Sequence, residues 1–127
     1  MCILIVEDED LIRLILAEHF TSAGFEVCEA ADGDAAAVLI RDKPTAFSLL
    51  VTDIHMPGSM AGTEVAKLMH ERNPDVPVIY ITGRPDALNA IGKLGRQEAV
   101  LAKPFVPSAL LRLAQRLLLS QGTGRRE

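Results

Sequence analysis

Four short apolar runs in this chain each end on, or just before, a polar side chain, and that pattern leaves few folds open. The runs are Ile3-Leu4-Ile5-Val6, Leu49-Leu50-Val51-Thr52, Val78-Ile79-Tyr80-Ile81 and Val100-Leu101-Ala102, and the polar residues are Asp8, Asp53, Thr82 and Lys103. A β-branched run that gives way to a polar residue marks a strand leaving the core. If the runs are parallel strands of one sheet, the four polar groups meet at its carboxyl edge, where ligands of open α/β sheets bind.

The spacing supports that premise. It predicts strands over 2–6, 26–30, 48–53, 77–82 and 98–102, alternating with helices near 9–23, 33–42, 62–73, 86–94 and 107–120. In the first helix Leu11, Leu14, Ile15, Glu18 and His19 read as a one-sided apolar stripe that turns polar, and Gly24 as its cap. Pro44 stops the second helix and Asn73-Pro74 the third. Val65, Leu68 and Met69 point inward from the third helix. The fourth is weaker, interrupted by Gly92 and bounded by Gly95. Leu110, Leu111, Leu113, Ala114, Leu117 and Leu118 turn the last helix toward the sheet, and Gly122 to Glu127 read as a frayed tail. Strict strand–helix alternation implies a doubly wound five-stranded parallel sheet with helices on both faces. Runs such as Cys2 to Val6 are apolar without alternation, as strands buried on both faces should be.

With 127 residues the chain fits one domain, expected over 1–120 with a tail at 121–127. A net charge of -4 without a basic stripe argues against nucleic acid as a direct partner. No apolar stretch approaches the ~20 residues of a bilayer span. Met1-Cys2-Ile3-Leu4 runs straight into a strand without a basic leader, so no signal peptide is visible and a cytoplasmic protein is expected. Cys2 and Cys28 suit a reducing compartment. On adjacent strands they would be offset by roughly 10 Å, too far for a disulfide, and are expected to be buried apolar thiols.

Glu7, Asp8, Glu9 and Asp10 are consecutive acids at a strand-to-helix turn. Capping and the helix dipole account for Glu9 and Asp10. They do not account for Glu7 and Asp8, which would face Asp53 across the sheet edge. Three carboxylates gathered there repel unless a cation joins them, and Mg2+ is the usual oxygen-liganded ion. A carboxylate beside Mg2+ can attack a phosphoryl group, and the ammonium of Lys103 would share the charge on its oxygens. His55 in the following loop offers its backbone carbonyl as a metal ligand rather than its ring. Thr82 ends its strand with a hydroxyl, Gly83 lets a backbone N–H approach an anion, and Lys103-Pro104 is compatible with a cis peptide that aims the lysine inward.

Taken together, Val6-Glu7-Asp8, Thr52-Asp53-Ile54-His55-Met56-Pro57, Ile81-Thr82-Gly83 and Lys103-Pro104-Phe105 resemble the receiver domain of bacterial two-component response regulators. The match runs from Ile3 to about Leu119. The resemblance implies a flavodoxin-like strand order 2-1-3-4-5, as in chemotaxis receivers. It implies Asp53 as phosphoacceptor and metal ligand, Asp8 as a direct Mg2+ ligand, Glu7 as a water-mediated one, and the His55 carbonyl as a further ligand. Thr82, Lys103 and the Gly83 backbone would contact the phosphoryl oxygens. The domain would be no enzyme in the ordinary sense, but a phosphoacceptor that assists its own phosphorylation and dephosphorylation. A sensor histidine kinase or a His phosphotransfer protein would be the donor and an unknown output partner the recipient of the signal, with a homodimer left open.

Three features depart from the pattern. The Pro57–Gly62 segment is one residue longer than the commonest form, with Ala61 in place of an Asp, and resembles receivers associated with hybrid kinases. Val100 occupies a position where many receivers carry an aromatic switch residue. No output domain follows Leu119, so a response passes through a partner unless the chain belongs to a longer one. Two rival readings are an aspartyl-phosphate hydrolase of the haloacid dehalogenase type and a degenerate receiver that only binds. The hydrolase wants an acid where His55 stands, and a cap domain that 127 residues do not accommodate. The intact five-residue site argues against the degenerate receiver.

Overall fold

The fold was obtained as a computed structural model, which describes residues 2–43, 45–84, 94–95 and 97–126. The strands are β1 (Cys2–Val6), β2 (Glu26–Ala30), β3 (Phe47–Asp53), β4 (Val78–Thr82) and β5 (Glu98–Ala102). The described helices are α1 (Asp10–Ser22), α2 (Gly33–Asp42), α3 (Gly62–Arg72) and α4 (Pro107–Arg126). All five strands are parallel, in the order β2-β1-β3-β4-β5 that was expected. The helix expected near 86–94 and the stop at Pro44 lie outside the described residues.

Alternate residues of the buried strands feed two apolar layers. Leu4, Val6 and Leu50 pack with Ala36, Ala37 and Ile40 of α2 and Val65 and Met69 of α3. Ile3, Ile5, Leu49, Val51, Ile79 and Ile81 pack on the other face with Leu16 and Phe20 of α1 and Leu110 and Ala114 of α4. Burial of both faces is what a continuous apolar strand requires.

Three local expectations need correction. Leu11, Leu14 and Ile15 do not face the sheet: they are 68%, 50% and 38% exposed, while Leu16, Ala17 and Phe20 are buried. Apolar residues surround most of α1, so periodicity alone does not select the buried side. The last helix does not end near 120 but runs to Arg126. No proline intervenes, and an interior glycine costs only about 1 kcal/mol. The cysteines lie nearer than expected. Cys2 pairs with Glu26 and Leu4 with Cys28, so the two thiols share one face of the sheet, offset by two residues. Both are free and half-buried, and burial with the Cys2 thiol alongside raises the pKa of Cys28.

Candidate functional site

Strand register assembles the site. Val6 pairs with Thr52, Asp53 with Ile81, and Thr82 with Ala102, so Glu7, Asp53, Thr82 and Lys103 follow the strand ends at one level. The Lys103 amide donates to the Thr82 carbonyl at 2.8 Å and fixes the turn that carries the lysine. The Lys103–Pro104 peptide is cis, as the sequence suggested.

Asp53 and Lys103 meet directly. Lys103 Nζ lies 2.7 Å from Asp53 Oδ2 and 3.3 Å from Glu7 Oε2. Burial works against the lysine's charge, but the hydrogen bond and charge of Asp53, helped by Glu7, outweigh it and raise its pKa. Glu7 is wholly buried. Burial drives its pKa up to about 7, and the charge of Asp53 adds to that, while a hydrogen bond from the Glu9 amide and the Lys103 charge oppose it.

Carboxylate oxygens of Glu7, Asp8 and Asp53 lie within 4.8 Å of one another. Glu7 Oε2 is buried without a hydrogen bond; its ion pair with Lys103 does not supply a well-directed one. A buried oxygen left unsatisfied beside two further carboxylates fits a hard, oxygen-liganded cation such as Mg2+. The His55 ring is exposed, while its amide donates to Asp53 Oδ1 at 3.3 Å, which places the loop backbone beside the acids.

Thr82 reaches the same edge and is buried. Its hydroxyl, however, donates to the Arg84 carbonyl at 3.1 Å and accepts from the Arg84 amide at 3.0 Å. A phosphoryl contact from Thr82 requires giving up the first of these. At Gly83 an added Cβ would meet Lys103 Cβ at an ordinary 3.9 Å, so packing among the described residues does not demand glycine there.

Two elements of the site escaped sequence reasoning. Arg13 donates to the Glu7 carbonyl at 2.7 Å and to Asp10 Oδ1 at 2.7 Å, and pairs with Glu29 at 3.5 Å, so it staples the acidic turn to α1 and β2. The three-residue spacing of Asp10 and Arg13 was the available signal. Glu9, expected to cap α1, occupies the N-cap position without a side-chain bond. The second element is the grip of α2 on the loop after Asp53: Asp34 accepts from Ser59. Ala61 at the N-cap of α3 provides no acceptor, and Glu64 reaches back to its amide at 3.1 Å.

Beside Lys103 opens a groove of about 520 Å³ lined by Ile12, Ile15, Leu16, Pro104, Phe105 and Pro107. Leu11, Leu14 and Val106 stand exposed on the same elements.

Comparison with known proteins gives a consistent answer. The family model of the response regulator receiver domain matches residues 3–115. The chain is 35% identical to the response regulator receiver protein CpdR of Brucella abortus, over 93% of this chain and 97% of that protein. It is 36% identical to the response regulator FleR of Pseudomonas aeruginosa over 98% of this chain, but spans only 26% of FleR. Among solved structures, the receiver domain of the hybrid histidine kinase CckA superimposes with a TM-score of 0.79 at 30% identity, covering 93% of this chain and 99% of that one.

Proposed function

The chain belongs to the response regulator receiver domains of two-component signalling, a family phosphorylated on aspartate, and we propose that Asp53 is the side chain that takes the phosphoryl group. The observation that carries this reading is the position of the Asp53 carboxylate, 2.7 Å from the Lys103 ammonium and within the same cluster as Glu7 and Asp8.

An Asp53 oxygen attacks phosphorus as the bond to the donor's imidazole nitrogen breaks, and the electron pair leaves on that nitrogen. Lys103 then turns an N–H from the carboxylate to a phosphoryl oxygen. Thr82 releases Arg84 to donate to a second oxygen, and the Gly83 amide would donate to a third. Glu7, Asp8, Asp53 and the His55 carbonyl would hold Mg2+, which when bound supplies positive charge against the phosphoryl oxygens. The chain acts on no separate substrate: it promotes its own phosphorylation and its reversal.

The groove beside Lys103 supports a donor of matching character. An apolar helical face that carries a phosphohistidine, as in a histidine kinase or a His phosphotransfer protein, would cover Ile12, Ile15 and Phe105 and deliver phosphorus beside Lys103. A cytoplasmic setting agrees with free thiols at Cys2 and Cys28. Among the described residues no helix is long and apolar enough to cross a membrane.

Acetyl phosphate with Mg2+ tests the assignment. One phosphoryl mass on the wild type and none on Asp53→Asn is expected; equal labelling of the two overturns it.

A further inference from the structure

The loop between β3 and α3 is longer than the roughly 2–6 residues usual of such a connection, and it carries the His55 carbonyl. Its ends are fixed near the sheet: the Gly62 amide donates to the Ile54 carbonyl at 3.0 Å, and a Cβ at Gly62 would overlap the Asp53 carbonyl. In its outer part, residues 58–60, Met60 packs on the apolar layer that α2 and α3 share with the sheet. The backbone there is gripped by the first turn of α2, an element with no part in the phosphoryl chemistry.

Two contacts make that hold. Asp34 Oδ1 accepts from the Ser59 hydroxyl at 2.6 Å, and Oδ2 accepts from the Ser59 amide at 3.3 Å. These hydrogen bonds, the hydroxyl's first, lower the pKa of Asp34. One residue earlier in α2, Gly33 meets the Met60 backbone so closely that a Cβ would overlap the Met60 carbonyl oxygen. Gly58, at φ 102°, adopts the left-handed turn that delivers Ser59 to the carboxylate. A flexible loop with a donor group on it loses metal affinity in proportion to the time it spends elsewhere; a gripped loop does not.

We propose that Asp34 and Ser59 form a clamp that positions the β3–α3 loop, and with it the His55 carbonyl, for Mg2+ binding at the Asp53 site. This rests on the metal site described under the proposed function. Asp34 and Ser59 touch neither the ion nor the phosphoryl group and act as positioning residues.

Mg2+ titration followed by amide NMR shifts, with thermal melts in EDTA, tests the clamp in wild type, Asp34→Ala, Ser59→Ala, Ser59→Thr and the double alanine variant. Each single alanine is expected to raise the Mg2+ dissociation constant by roughly two- to tenfold, the effect of losing one hydrogen bond that holds the loop. The double variant should go no further, because either change opens the same clamp. Ser59→Thr keeps the hydroxyl and should stay near wild type. An effect in Asp34→Ala without one in Ser59→Ala would be loss of a distant charge and overturns the proposal. So does a lowered EDTA melt with an unchanged Mg2+ constant. Absence of Mg2+ binding in the wild type would instead remove the metal site itself, and the clamp's role with it.

Discussion

Lys103 Nζ lies 2.7 Å from Asp53 Oδ2 across fifty residues of sequence, and the same nitrogen is 3.3 Å from Glu7 Oε2. One ammonium therefore serves two buried carboxylates. It offsets part of their repulsion in the resting protein and, on the proposed function, would serve the oxygens of an incoming phosphoryl group.

Lys103→Gln should accordingly have two separable effects. The fold should lose about 2 kcal/mol in EDTA, less than a fully buried pair would because the lysine is 22% exposed. Labelling of Asp53 by acetyl phosphate should slow on the order of a hundredfold, as when a donor to developing charge is removed. Urea melts and a labelling time course measure the two. A labelling rate equal to wild type would remove Lys103 from the chemistry.

Glu7 should make stability depend on pH and, at the proposed site, on Mg2+. Its pKa stands at about 7 in the folded protein against an ordinary 4.5. Between those values the native state keeps a proton that the unfolded chain has released, so the Glu7 contribution to stability falls as pH rises from about 4.5 to about 7. Mg2+ favours the ionised carboxylate, and its stabilisation should grow over the same window, reaching about 2.7 kcal/mol at a hundred times its dissociation constant. Melts at pH 5 and pH 8, with EDTA or Mg2+, measure both trends. Glu7→Gln should flatten them. An Mg2+ increment equal at the two pH values would contradict the site.

Donor docking is separable from acceptor chemistry. Ile15 lines the groove beside Lys103 and is 38% exposed, so Ile15→Glu should fold normally and accept phosphoryl from acetyl phosphate at the wild-type rate. Transfer from a phosphorylated histidine phosphotransfer protein should drop by an order of magnitude or more, as loss of an interface anchor does. Equal loss with both donors would mean the substitution damages the site rather than the docking face.

Much of this architecture is legible in the chain itself. The stretches 3–6, 49–51 and 78–81 are apolar at every position because both faces of β1, β3 and β4 are buried, and a parallel register then forces Glu7, Asp53, Thr82 and Lys103 to one edge. The side on which α1 packs was not legible, because Leu11 and Leu14 are as apolar as Leu16 and Phe20 and nothing in the periodicity separates exposed from buried. The Asp34–Ser59 contact was not legible either. It joins residues 25 apart through a loop conformation set at Gly58, and local pattern carries no record of such a pairing. The Thr82 bond to Arg84 belongs to the same class: a hydroxyl at a strand end can serve its own turn or a ligand, and composition does not choose.

The central claim is that phosphorus binds to Asp53 and to no other side chain. Borohydride reduces an aspartyl phosphate to homoserine, so treatment with acetyl phosphate and Mg2+, then borohydride, then peptide mass mapping locates the modified residue directly. The account predicts homoserine at position 53 alone, dependent on Mg2+. Homoserine at position 8 or 10, or a stable phosphoryl on a histidine with position 53 unchanged, would contradict it.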